Sequence, residues 1–125
     1  MFQSVFNRQK AYFEKQETKP FQKRVDALLK LKALIKGTES ELLAAVQKDL
    51  NKSYFEAYTS EILPIMIEID YALKRIKKWM KPVKKSGTPI AFGTRYKIYP
   101  EPKGQVLIVS PWNYPIQLAF LPLVS

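Results

Sequence analysis

"GQVLIVSPWNYP", residues 104–115, decides how the rest of the chain is read. Val106, Leu107, Ile108 and Val109 are apolar without alternation, so a strand here sends apolar side chains to both faces. Such strands belong to parallel sheets covered by helices on either side. Pro111, Trp112, Asn113, Tyr114 and Pro115 follow at once, and Pro115 suits the first position of a helix over "PIQLAFLPLVS". The run is therefore read as the first strand, turn and helix of an α/β unit. A doubly covered strand needs neighbours, and no second run of this kind occurs among the 125 residues. Either another chain supplies the sheet, or the sequence is the N-terminal part of a longer protein cut just inside this unit. The second is the expectation, because Val106 to Val124 left alone would be an aggregation hazard.

Upstream, the first eighty residues read as helices. Phe2, Val5, Phe6 and Phe13 fall near one face of the first. Pro20 opens a second, with Val25, Leu28, Leu29 and Ile35 on one stripe and Gly37 as its stop. Thr38 with Glu41, and Ser53 with Glu56, have the spacing at which a hydroxyl and a carboxylate cap a helix start reciprocally. The clearest stripe is Ile62, Ile65, Met66, Ile69, Leu73, Ile76 and Met80, with Asp70 and Lys74 one turn apart on its outer side. This helix is expected to bend at Pro64 and to end before Pro82. These stripes are packing surfaces and carry no chemistry. "KKSGTPIAFG", residues 84–93, reads as a connecting loop, and "RYKIYPEP" beyond it as an edge strand with one wet face.

Zero cysteines and zero histidines exclude a disulfide framework and leave only scattered carboxylates as metal ligands, so no metal site is expected. The same absence removes the usual nucleophile and the usual neutral-pH base. No apolar run approaches the roughly 18 residues of a membrane span, and nothing near Met1 has the form of an export signal, which points to the cytoplasm. The net charge of +10 is concentrated: residues 74–103 hold ten Lys or Arg against one Glu. "KRIKKWMKPVKK", Lys74 to Lys85, is a basic helix end and linker. Its alternative reading is a small basic helical module that binds nucleic acid or an anionic surface, although no recognition helix or base-stacking motif accompanies it.

"YPEPKGQVLIVSPWNYP", Tyr99 to Pro115, resembles the first coenzyme-domain strand of the aldehyde dehydrogenase superfamily, in the manner of its class 3-like members. The family pattern is Glu-Pro-x-Gly, an apolar run, then Pro-Trp-Asn-Phe/Tyr-Pro. Glu101, Pro102, Gly104, Pro111, Trp112, Asn113, Tyr114 and Pro115 stand at matching positions. The resemblance implies an α/β subunit forming homodimers or homotetramers that oxidises a small-molecule aldehyde to an acid with NAD or NADP, without nucleic-acid partners. Residues 1–93 would be the N-terminal helical region and linker, 94–103 an edge strand of the oligomerisation region, and 104–125 the truncated start of a Rossmann-like coenzyme-binding domain. The family's cysteine nucleophile and its water-activating glutamate have no counterpart here, so the chain alone is expected to be inactive.

By the same resemblance, Asn113 matches the asparagine whose amide donates to the oxygen of the tetrahedral intermediate. A fixed neutral donor stabilises charge gathering on a carbonyl oxygen without a proton transfer. Val109, Ser110, Pro111 and Trp112 would line the nicotinamide end of the coenzyme, beyond the carboxyl end of the strand where open α/β sheets bind ligands. From the residues alone, Asn113 also reads as a plain helix cap. If Pro115 is the first helical residue, however, Tyr114 takes the cap seat and Asn113 falls one residue outside.

Overall fold

A computed structural model describes residues 2–87, 89–91 and 93–124. In chain order it runs α1 (Phe2–Glu14), α2 (Phe21–Gly37), α3 (Glu39–Leu50), α4 (Tyr54–Ala57), a π-helical turn (Tyr58–Ile62), α5 (Leu63–Trp79), β1 (Val83–Ser86), a 3-10 turn (Pro89–Ala91), β2 (Arg95–Ile98) and α6 (Pro115–Val124). The stripe read from sequence forms the centre: Ile62, Ile65 and Ile69 are fully buried, and Ile35 of α2, Leu43 and Val46 of α3 and Val124 of α6 close around them. Burying one such side chain stabilises a fold by about 1.5–3 kcal/mol, so this cluster holds the helices together. Leu29, expected on the α2 stripe, is instead 49% exposed. α1 buries none of its residues, though the Phe13 ring packs on Gly104 and Gln105 Nε2 donates to Phe6 O at 2.8 Å. A Cβ on Gly104 would meet Phe13 only at 3.5 Å, so it is the positive φ of +105° that requires glycine there.

The two expected caps part company for a backbone reason. Ser53 is extended (φ −63°, ψ 158°), and its hydroxyl accepts from the Glu56 N–H at 3.2 Å. Thr38 is the single residue between α2 and α3, and its φ of −112° and ψ of 11° lie outside the extended region that a capping side chain needs. Its hydroxyl donates backward to Leu34 O at 2.9 Å, so it does not cap α3.

The irregularity expected at Pro64 lies one turn earlier. Leu63 donates its N–H to Tyr58 O, five residues back, and the hydroxyls of Thr59 and Ser60 donate to the carbonyls of Phe55 and Glu56 at 2.8 and 2.6 Å. A widened turn followed by proline near the start of α5 avoids the clash that proline makes inside a regular helix. α5 then stops at Trp79, ahead of Pro82, with Lys77 and Lys78 in its last turn where cations meet the negative helix end.

Three further expectations change. Residues 84–86, read as loop, belong to β1, which pairs antiparallel with β2 in the register Val83↔Ile98 to Ser86↔Arg95; the rest of that reading includes Thr88 and Phe92, outside the described residues. Every residue of both strands is exposed, so β2 has two wet faces. Lys84 opposite Lys97 blunts a hairpin whose two strands are both edges. Val106 to Val109 make no ladder among the described residues, because the only sheet there is β1–β2; Val106, Leu107 and Val109 are exposed.

Asp70 pairs with Lys32 of α2 and not with Lys74, because α2 packs across α5 and brings Lys32 to it. The hydrogen bond from Lys32 holds the Asp70 carboxyl below the ordinary carboxylate value, against some desolvation, and the charges of Lys32, Lys74 and Lys36 add to the effect. A depressed folded-state value stabilises above the unfolded-chain value and stops doing so as pH falls through the folded one. Asp70→Asn should therefore lower stability at neutral pH and converge on the parent in acid. Urea denaturation between about pH 7 and about pH 2 checks this, and a pH-independent gap would contradict it.

Candidate functional site

The short stretch "NKS", residues 51–53, stops one helix and starts the next, and so fixes the residue between. Asn51 closes α3 in the left-handed region (φ 54°), donating its N–H to Gln47 O at 2.9 Å, a conformation asparagine tolerates better than most residues. Ser53 caps α4. Lys52 is thereby turned inward, its side chain only 11% exposed.

Its partner is Glu61, carried in the π-helical turn and fully buried. Lys52 Nζ donates to Glu61 Oε1 at 2.7 Å. Glu61 Oε2 accepts from the backbone N–H of Ile116 at 3.1 Å and of Gln117 at 3.0 Å. These are first-turn amides of α6, which lack intrahelical acceptors by construction. Pro115 at the first position has no N–H, and the first intrahelical bond runs from Leu118 N–H to Tyr114 O at 3.0 Å. α6 has no acid of its own in that turn, so a carboxylate from another helix fills the role.

Asn113 therefore does not cap α6. Tyr114 holds the cap seat, and Asn113 stands one residue outside it, exposed. Its backbone carbonyl accepts from Lys52 Nζ at 2.8 Å, while its side-chain amide has no hydrogen-bond partner among the described residues. Lys52 Nζ also sits over the Tyr114 ring, 4.0 Å from its centroid. Ser110 Oγ donates to Pro115 O at 3.0 Å and to Pro111 O at 3.2 Å, closing the turn from inside. Val109 and Trp112 are 80% and 87% exposed, and Pro111 is exposed beside them. The structure thus brings Ser110, Asn113 and Pro115 together in one turn, with Val109, Pro111 and Trp112 as its bare apolar side chains.

Sequence reasoning missed Lys52 and Glu61. A signal existed for the second: Glu61 lies four residues before Ile65 and eight before Ile69, an acid at a position of the buried stripe. Among the described residues no three His, Cys, Asp or Glu side chains gather to hold a metal. Chemically, the turn offers a neutral amide donor on a fastened backbone. It offers no nucleophile and no base.

The described residues thus run as helices, a two-stranded hairpin, an apolar run, a turn and a last helix. The aldehyde dehydrogenase family model matches residues 2–124, and the chain belongs to that family. It is 42% identical over 126 residues to the 4,4'-diaponeurosporen-aldehyde dehydrogenase of Staphylococcus aureus (strain NCTC 8325 / PS 47), covering 100% of this chain and 27% of that protein. It is 36% identical over 123 residues to the dimeric NADP-preferring aldehyde dehydrogenase of Canis lupus familiaris, covering 97% of this chain and 27% of that one. The solved substrate-bound Staphylococcus aureus AldH superposes with a TM-score of 0.93 at 40% identity, covering 99% of this chain and 27% of the other. The chain thus spans about a quarter of the length of these relatives. No described helix is long and apolar enough to cross a membrane.

Removing one member of a buried ion pair leaves the other charge unpaired, at a cost of about 3–5 kcal/mol. Glu61→Ala should lose stability on that scale in urea denaturation, and Glu61→Gln less, since its amide oxygen still accepts from α6. A loss under about 1 kcal/mol for the alanine variant would mean that the carboxylate does not hold these segments together.

Proposed function

We propose that this chain is the N-terminal part of a cytoplasmic aldehyde dehydrogenase that oxidises an aldehyde to a carboxylic acid with NAD or NADP, and that assembles as a homodimer or homotetramer. Residues 1–93 form its helical region and linker, 94–103 an edge strand of the oligomerisation region, and 104–125 the start of its coenzyme-binding domain. Family membership over residues 2–124 supports this reading, as does the name of the dog relative, dimeric and NADP-preferring.

The observation that carries the site assignment is the Asn113 amide: exposed, without a hydrogen-bond partner among the described residues, and attached to a backbone tied at its carbonyl. Donors whose orientation is set before reaction stabilise developing charge without reorganising, and Asn113 is assigned as the catalytic donor to the oxygen of the aldehyde-derived intermediate. Val109, Pro111 and Trp112 suit one face of a flat aromatic ring, being apolar and bare, whereas the Ser110 hydroxyl is spent on the turn and acts there as a spacer. A nicotinamide held against Val109, Pro111 and Trp112 would supply the acceptor for hydride from the substrate carbon. The thiol that attacks the aldehyde must come from outside these residues, which contain no cysteine.

In the complete subunit, Asn113→Ala should lower kcat/KM for aldehydes by about 10²–10³-fold while the coenzyme Kd stays within a factor of about two. Unchanged turnover would remove Asn113 from the reaction. The 125-residue chain by itself should show no aldehyde-dependent reduction of NAD or NADP, and purified activity from it would refute the reliance on an outside thiol.

A further inference from the structure

A side-chain amide aims only as well as the backbone beneath it is held. In this chain the peptide carrying Asn113 is held by one ammonium group. Lys52 Nζ donates to Asn113 O at 2.8 Å, and the same nitrogen is 2.7 Å from Glu61 Oε1 and 4.0 Å above the Tyr114 ring. Glu61 in turn grips the helix just beyond through the amides of Ile116 and Gln117. Across the five residues from Asn113 to Gln117, the Lys52–Glu61 pair thus holds a carbonyl, a ring and two amides, and the Ser110 hydroxyl holds the Pro115 carbonyl.

We propose that Lys52, backed by Glu61, is a positioning residue for the reaction: it sets the direction of the Asn113 amide and has no contact with substrate itself. The inference rests on the role given to Asn113 under Proposed function. Two features argue that Lys52 does more than hold the fold together. Its ammonium is placed on the carbonyl of Asn113, whose side-chain amide has no hydrogen-bond partner among the described residues, when the amides of α6 were already satisfied by Glu61 alone. And an ammonium needs no such placement to neutralise Glu61, since the bond to Oε1 does that. A charged donor to a carbonyl is shorter and about twice as strong as a neutral one, which suits a peptide that must not rock as charge builds beside it. Misplacing a catalytic group by about 1 Å can cost on the order of 10²-fold in rate.

The test is a double-mutant cycle in the complete subunit. Lys52→Met is expected to lower kcat/KM for aldehyde by about 10- to 100-fold with the coenzyme Kd nearly unchanged. In the Asn113→Ala background the same substitution should cause less than about a twofold further loss, because no amide remains to be aimed. A purely structural role would multiply in both backgrounds. Lys52→Gln, which keeps a donor for Asn113 O but not the charge, should recover part of the loss and serves in the cycle if Lys52→Met does not fold. If Asn113→Ala is impaired but the Lys52 variants are not, or lose equally in both backgrounds, the positioning role is overturned and the assignment of Asn113 survives. If Asn113→Ala turns over normally, both fall together.

Discussion

A carboxylate with no access to water is the constraint on which the rest of this structure depends. Glu61 lies buried beside Ile62, Ile65 and Ile69, where a polar group without hydrogen bonds is costly, and three donors meet it: the Lys52 ammonium and the amides of Ile116 and Gln117. Because those donors come from the α3–α4 junction and from the start of α6, one side chain decides where three segments sit. A buried ion pair contributes modestly to net stability beside an apolar replacement of equal volume. Its value here is in direction, since apolar contacts alone do not fix the rotation of a turn.

Around that polar point the packing is ordinary. α2 and α3 supply Ile35, Leu43 and Val46, α5 supplies Ile65 and Ile69, and α6 returns Val124 to the same cluster, with Ile116, Phe120 and Leu121 half-buried against it. The apolar cluster fixes that α6 docks on α5, and the carboxylate fixes its first turn. Together they leave Val109, Pro111, Trp112 and Asn113 standing out from the helices, exposed. The π-helical turn serves both demands, carrying Glu61 and absorbing Pro64 at the start of α5.

The basic excess has a local explanation in the same framework. Lys77 and Lys78 sit at the negative end of α5, and Lys84, Lys85, Arg95 and Lys97 line a hairpin exposed on both faces. Cations on such strands discourage stray strand addition. Lys32 and Lys52 differ in kind, each being drawn inward to a single acid, Asp70 or Glu61.

Much of this was written in local pattern. The helices with their approximate ends, the stripe from Ile62 to Met80, the Ser53 cap and Pro115 as first residue of α6 all follow from periodicity and residue type, because spacing along one helix or turn is a property of neighbours in the chain; the motif from Glu101 to Pro115 was legible by its resemblance to a family. What tertiary structure alone decided are pairings across long separations. Lys32 displaced Lys74 as the partner of Asp70, β1 emerged from a stretch read as loop, and Lys52 and Glu61 closed on residues more than fifty positions away. The sequence named Asn113 but left open whether it caps a helix; that question ended only when Glu61, from another helix, was seen to occupy the amides an Asn113 cap would have needed. Local rules rank what a residue can do, and the energy that selects among those options depends on which distant groups folding brings within hydrogen-bond reach.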